Sequence, residues 1–166
     1  MKMGEKDIYA YGETPLTTME KIASECNICK SDKVFELGMG RGRCCFWLNQ
    51  FIKCDVVGIE FIPEFVKHAN QIKSWYNVQG VEFRQEDMLK SDFDGGTCLY
   101  LYGTCYETEM IEKITKKIAK LPKGTKIISV SYSLETYSDP GLFTLIKKFP
   151  AVFTWGKADV YLQVLE

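Results

Sequence analysis

The sequence predicts a doubly wound α/β fold: a seven-stranded sheet, mostly parallel, in which a C-terminal hairpin supplies one antiparallel strand. Three observations lead there. Short apolar runs alternate with amphipathic helical stretches from residue 16 to residue 130, and such alternation makes parallel strands with helices on both faces. Two strand-like runs separated by a tight turn end the chain. Three alternating glycines, Gly38, Gly40 and Gly42, follow the first strand, where sheets of this kind open toward a ligand. The 166 residues fit one domain, with 1–14 a lead-in or lid segment and 15–166 the core.

The elements follow in order. Leu16, Met19, Ala23 and Cys26 recur at helical spacing, and Thr14-Pro15 suits the start, Thr14 as cap and Pro15 in the first turn. Val34–Leu37 reads as a short buried strand. Cys44, Leu48, Phe51 and Ile52 stripe the next helix, and Asp55–Glu60 is the second strand. Pro63 opens a third helix striped by Phe65, Ala69, Ile72 and Tyr76. Val81–Arg84 alternates as a strand, and Thr97–Tyr102 is a fourth after the Asp94-Gly95-Gly96 turn. Ile111, Ile114, Ile118 and Leu121 mark a helix stopped by Pro122 and Gly124. Lys126–Val130 is the fifth strand. Phe149–Trp155 and Asp159–Leu165, joined by Gly156-Lys157, form the hairpin.

Composition narrows the function. With 21 Lys+Arg against 22 Asp+Glu, the net charge of −1 argues against an electrostatic nucleic-acid binder. No apolar run approaches the roughly 18–20 residues that span a bilayer, and the polar start does not read as a signal peptide, so the expected location is cytoplasmic. Seven cysteines then read as reduced thiols. Cys26-x-x-Cys29 has no second ligand pair, and His68 is the one histidine, placed on a solvated helix face; no metal is expected. The lysines from Lys113 to Lys126 read as a solvated face. Trp47, Trp75 and Trp155 read as core or helix-face residues.

The chemistry gathers at the strand ends. Alternating glycines let the backbone turn tightly and approach a ligand, and the following helix offers free N–H groups. A dinucleotide turn has its third glycine one place later than Gly42. Glu36 sits awkwardly beside a pyrophosphate but suits an ammonium. S-adenosylmethionine carries an ammonium, a sulfonium and no phosphate. Glu60 closes the second strand, where an acid can accept from both ribose hydroxyls. Phe61 can lie against the adenine face. Asp87, after the third strand, is placed to accept from the adenine amino group, with Met88 packing on the ring. Tyr102, Thr104 and Tyr106 follow the fourth strand, where an acceptor enters; their rings and hydroxyls either line a channel for an ammonium or pack at the strand end.

This set resembles the class I S-adenosylmethionine-dependent methyltransferases, whose Rossmann-like sheet ends in the same hairpin. The stretch Glu36–Gly42 is similar to their first motif, Glu60 to their ribose acid, Gln85-Glu86-Asp87 to their adenine-site acid, and Lys123-Gly124-Thr125 to a late turn of the family. Within the class, Tyr11-Gly12-Glu13-Thr14 looks like the cofactor-covering loop of the telomeric-silencing, non-SET lysine methyltransferases. So do Leu99-Tyr100-Leu101-Tyr102 and Lys123–Ser129. The resemblance implies that Tyr11 and Thr14 cover the methionine end of the cofactor, with Tyr102 beside it, and that S-adenosyl-L-homocysteine is the product. Two departures stand out. Tyr102-Gly103-Thr104-Cys105-Tyr106 replaces the Asn-Asn-Phe of those enzymes, and no Asp/Asn-Pro-Pro-Tyr is present, which speaks against methylation of nucleic-acid bases.

The expected function is methyl transfer to a protein side chain such as lysine. A small-molecule methyltransferase and a non-catalytic, methyltransferase-like binding subunit remain alternatives. A core of this size leaves no cap to enclose a small acceptor. A nicotinamide oxidoreductase is disfavoured by Glu36 and the early Gly42. The sequence names neither the acceptor nor the oligomeric state.

Overall fold

The computed structural model describes residues 12–166. Helix α1 spans Leu16–Glu25, strand β1 Lys33–Leu37, helix α2 Arg43–Trp47 continued by a π-helical turn Leu48–Ile52, strand β2 Asp55–Glu60, and helix α3 Pro63–Trp75. Strand β3 covers Val81–Gln85, β4 Cys98–Leu101, helix α4 Thr108–Ile118, β5 Lys126–Val130, β6 Phe143–Phe153 and β7 Gly156–Leu165, with a 3₁₀ turn at Leu134–Tyr137.

Seven strands lie in the order β3-β2-β1-β4-β5-β7-β6. Neighbours among β1–β5 pair in parallel, and β7 runs antiparallel to both β5 and β6. This is the mixed sheet the alternation predicted. The pleat sorts the strands between two cores. Val34, Val56 and Tyr100 face one side, where α1, α2 and α3 supply Met19, Ile22, Leu48 and Ala69. Phe35, Val57 and Leu99 face the other, packed by Ile111, Ile114 and Ile118 of α4 and by Phe93. The chain reverses its progress across the sheet between β1 and β4, so a crevice opens beyond their carboxyl ends.

Several local expectations need correction. Thr14 does not cap α1: Pro15 occupies the cap position without a side-chain bond. The Thr14 hydroxyl instead meets the Tyr100 hydroxyl at 2.6 Å, because both are buried and a buried hydroxyl needs a partner. Phe51 is 71% exposed. The π turn inserts extra arc into α2 and rotates the stripe, so Asn49 turns inward in place of Phe51 and bonds the Cys54 carbonyl. In α3 the buried residues are Val66 and Ala69, whereas Ile72, Trp75 and Tyr76 face outward. Of the predicted stripe Ala69 is buried and Phe65 half-buried, and Val66 joins them in place of Ile72. The hairpin starts earlier than predicted, at Phe143, and turns at Thr154-Trp155 rather than Gly156-Lys157. β6 is the sheet edge, where Pro150 is tolerated. Trp155 consequently belongs to a turn, half-exposed, and not to core or helix.

All seven cysteines are free thiols, Cys29 and Cys105 exposed. Among the described residues no group of side chains could hold a metal ion, and no helix is long and apolar enough to cross a membrane.

Candidate active site

A cavity of about 1260 Å³ opens beyond the carboxyl ends of the strands. Gly38, at the head of the glycine turn after β1, lines one wall. Gly38, Gly40 and Gly42 have φ of +79°, +56° and +76°, left-handed values that a side chain strains to reach. The turn is tied to β2, since the N–H groups of Gly38 and Met39 both donate to the Ile59 carbonyl at 2.9 and 3.0 Å.

Glu60 ends β2 at the cavity wall. Its Oε1 accepts from the N–H of Phe61 and Ile62, and its Oε2 from the N–H of Gly40 at 2.9 Å. A carboxylate has about four acceptor sites, so three are in use. A grip on two ribose hydroxyls must therefore displace at least one backbone donor. Phe61 projects beside it, 71% exposed. A large ring left in water at a cavity edge is placed to cover a ligand.

The segment after β3 closes the far end. Asp87 and Met88 line the cavity as expected. Asp87 Oδ1 accepts from the Leu89 N–H at 2.9 Å, which fixes the loop. Glu86, not singled out in the sequence, also lines the cavity, and its buried Oε2 has no partner among the described residues.

Glu36 is buried one residue before the turn. The Cys45 thiol donates to its Oε2 at 2.9 Å. Burial pushes its carboxyl up to about 8; the thiol bond opposes this, and the charges of Glu60 and Glu13 add to it. The side chain faces a recess of about 20 Å³ shared with Thr14, Gly38 and Tyr102.

Residues 12–14 lie across this recess. Arg41 Nε donates to Glu13 Oε1 at 2.7 Å and Arg43 to Oε2 at 2.9 Å. These bonds, led by that to Arg41, hold the Glu13 carboxyl below the usual range. Tyr11, expected to cover the cofactor, falls outside the described residues.

The acceptor end is aromatic. Tyr102, Thr104 and Tyr106 all reach the cavity, joined by Ser131 after β5 and Trp155 from the hairpin turn. The rings of Tyr102 and Trp155 each lie nearly parallel to Phe153, at 5.4 and 5.7 Å, and the Trp155 indole N–H donates to the Tyr102 oxygen. Burial raises both Tyr102 and Tyr106, the latter to about 12. At neutral pH both phenols keep their protons and serve as donors, not bases. Sequence reasoning missed Trp155 and Ser131. Ser131 carries a signal only in its backbone, φ +74° at a non-glycine residue.

A glycine cradle, a row of carboxylates at successive strand ends and an aromatic acceptor wall point to one family. The sequence model of the histone methylation protein DOT1 matches residues 5–138. The chain belongs to the DOT1 family. It is an S-adenosylmethionine-dependent methyltransferase of class I. The match ends before the hairpin, so Phe153 and Trp155 lie beyond it. No curated protein matches the sequence. Among solved structures, an RNA methyltransferase from Salinibacter ruber in complex with S-adenosyl-L-homocysteine is similar at 23% identity and a TM-score of 0.75, over 92% of this chain and 93% of that one. The PH0226 protein from Pyrococcus horikoshii OT3 is similar at 15% identity and a TM-score of 0.75, over 91% and 89%. The magnesium protoporphyrin IX methyltransferase of Synechocystis PCC 6803 follows at 14% and 0.71, over 91% and 79%. These likenesses concern the fold.

Of the residues expected at the cofactor site, Gly38, Glu60, Phe61, Asp87, Met88 and Tyr102 line the cavity, and Thr14 and Glu36 the adjoining recess. Gly38 brings bare backbone to the cavity, Glu36 faces a recess sized for a small group, and Glu86 Oε2 has no hydrogen-bond partner among the described residues.

Proposed function

We propose that this protein methylates an amine side chain of a protein, lysine foremost. The single observation behind the reading is the acceptor end of the cavity, an aromatic panel open to solvent and backed by hydroxyls. In this reading Glu60 holds the ribose. Glu36, with Gly38, Gly40 and Gly42 around it, takes the methionine end, covered by Tyr11 and Thr14. Asp87, Met88 and Phe61 hold the adenine. When bound, S-adenosylmethionine supplies an electrophilic methyl group on a sulfonium.

The chain's own residues position and desolvate the acceptor. The faces of Tyr102 and Trp155 attract an ammonium through their quadrupoles. Only the neutral amine has the lone pair that attacks, so the ammonium that the rings attract must first give up its proton. Thr104 and Tyr106 donate or accept at the mouth. The proton leaves to solvent, and no side chain at the mouth is needed as base.

The test is transfer of tritiated methyl from S-adenosylmethionine into core histones and into a demethylated protein extract, with RNA as a separate arm. Label recovered as methyl-lysine is the expected result. Label confined to RNA, the acceptor named for the Salinibacter ruber neighbour, overturns the protein reading.

The aromatic panel makes a second expectation. Replacing Trp155 by Ala removes the indole face and the bond to Tyr102. The KM for the protein acceptor should rise roughly 10-fold or more, about what 1.4 kcal/mol of lost cation–π and packing energy implies. Affinity for S-adenosylhomocysteine should stay within about 2-fold. Equal loss of both would place Trp155 in the cofactor site instead.

A further inference from the structure

Glu36 and Cys45 form a closed pair beneath the glycine turn. The thiol donates to Glu36 Oε2 at 2.9 Å, and both residues are buried. In the sheet Glu36 of β1 is level with Gly58 of β2 and Tyr100 of β4. Gly58 makes room for the sulfur: a Cβ there would stand 2.9 Å from Cys45 Sγ and 2.4 Å from Met39 Sδ. The glycine, the thiol and the acid are thus one built feature, with the carboxyl facing the recess of about 20 Å³.

The groups facing Glu36 come from every neighbouring element. Glu60 lies on β2, Glu13 on the segment before α1, Cys44 and Cys45 on α2, and Tyr100 on β4. Arg43 borders the same recess but is held by Glu13 at 2.9 Å. Two carboxylates and burial therefore oppose a charged Glu36, and the thiol is the side-chain donor that supports it.

We propose that Cys45 is a positioning residue for Glu36: its thiol holds the carboxyl toward the recess and stabilises the carboxylate form, so that binding of the cofactor's ammonium there expels one proton from Glu36 to solvent. The O–H bond of the carboxyl breaks, the proton passes to the buffer, and the carboxylate pairs with the ammonium. The thiol keeps its own proton throughout, because burial holds it far above neutrality. The inference rests on the adenosyl-site reading above.

Calorimetry of S-adenosylhomocysteine binding, in buffers of different ionisation enthalpy, measures the proton directly. The wild-type protein should release close to one proton per ligand at pH 6–7 and progressively less above pH 8. Glu36→Gln should release none. Cys45→Ala removes the supporting donor, so affinity should fall about 10-fold at pH 7 and converge on the wild-type value by pH 9.5. The ligand's own ammonium titration cancels in that ratio. Cys45→Ser keeps a donor and should restore the wild-type profile; it also covers the case in which the alanine variant folds poorly. Ligand binding without proton release overturns the inference while leaving the adenosyl site intact. A loss in Cys45→Ala equal at all pH values assigns the thiol to packing alone and also overturns it. No binding by the wild-type protein defeats the adenosyl-site reading and the inference with it.

Discussion

Exchanging Glu60 for glutamine is expected to remove nearly all stabilisation of the protein by S-adenosylhomocysteine. At about 100 times its dissociation constant, a ligand adds roughly 2.7 kcal/mol to the wild-type protein. For a domain of this size that is a rise in Tm of about 5–10 °C. A carboxylate accepting from two ribose hydroxyls contributes on the order of 2–4 kcal/mol, since hydrogen bonds to a charged group are the strong ones. Loss of about 2.7 kcal/mol weakens binding roughly 100-fold. The same ligand concentration then stabilises the variant by only about 0.4 kcal/mol, or 1–2 °C. The comparison must use the ligand-induced shift and not the absolute Tm. Glu60 also accepts from the N–H groups of Gly40, Phe61 and Ile62, and an amide nitrogen facing one of these donors softens the free protein as well. A full ligand-induced shift in the Glu60→Gln protein would remove Glu60 from the ribose site.

That the three strand-end acids could be found at all reflects where their information lies. Glu36 is the penultimate residue of β1, Glu60 the last of β2, and Asp87 lies two residues past β3; an acid at the end of a short strand is a local pattern. Parallel pairing of β1, β2 and β3 carries their carboxyl ends to one edge, so local signals sufficed to bring the acids together. The hairpin side of the site was not legible in this way. The local sequence gives the hairpin itself, but the antiparallel pairing of β7 with β5, which carries the Trp155 turn to the carboxyl end of β5 beside Ser131, is a contact between distant segments. Phe51 shows the limit of periodicity itself, because a single π turn shifts the phase of a helix. Thr14 shows competition between partners: a cap is what its sequence neighbours invite, and the distant hydroxyl of Tyr100 is what it finds. Glu36 was read as a carboxylate beside a cation. Its position needed only the sequence, but its charge depends on depth, on Cys45 and on two carboxylates from other elements.

That depth makes the free protein's stability depend on pH in an unusual direction. The Glu36 carboxyl sits near 8 in the folded chain against a usual value of 4.5. Between those values the folded state holds a proton that the unfolded state has released, so stability falls as pH rises. The contribution is fully present below pH 4.5 and is lost by about pH 8. An interval of that width corresponds to at most about 5 kcal/mol, with water entering the recess reducing it. This is a large share of the roughly 5–15 kcal/mol that holds a domain together. The opposite slope comes from acids that ion pairs or hydrogen bonds hold low. For Glu13 and Glu82 the largest cause is the bond to Arg41 and to Arg84 respectively. Their contribution is present above the usual carboxylate value and is lost as pH falls below it. The two slopes meet near pH 5, which should be the pH of greatest stability for the free protein. In urea unfolding, the wild-type midpoint should decline from pH 5.5 to pH 8.5. In Glu36→Gln, whose amide carries no proton to lose, that decline should disappear. The variant should exceed the wild type by only about 1–2 kcal/mol at pH 5.5 and by several kcal/mol at pH 8.5. Parallel declines in both proteins would mean that Glu36 is ionised in the free protein at neutral pH. The carboxylate would then stand ready for an ammonium without first giving up a proton.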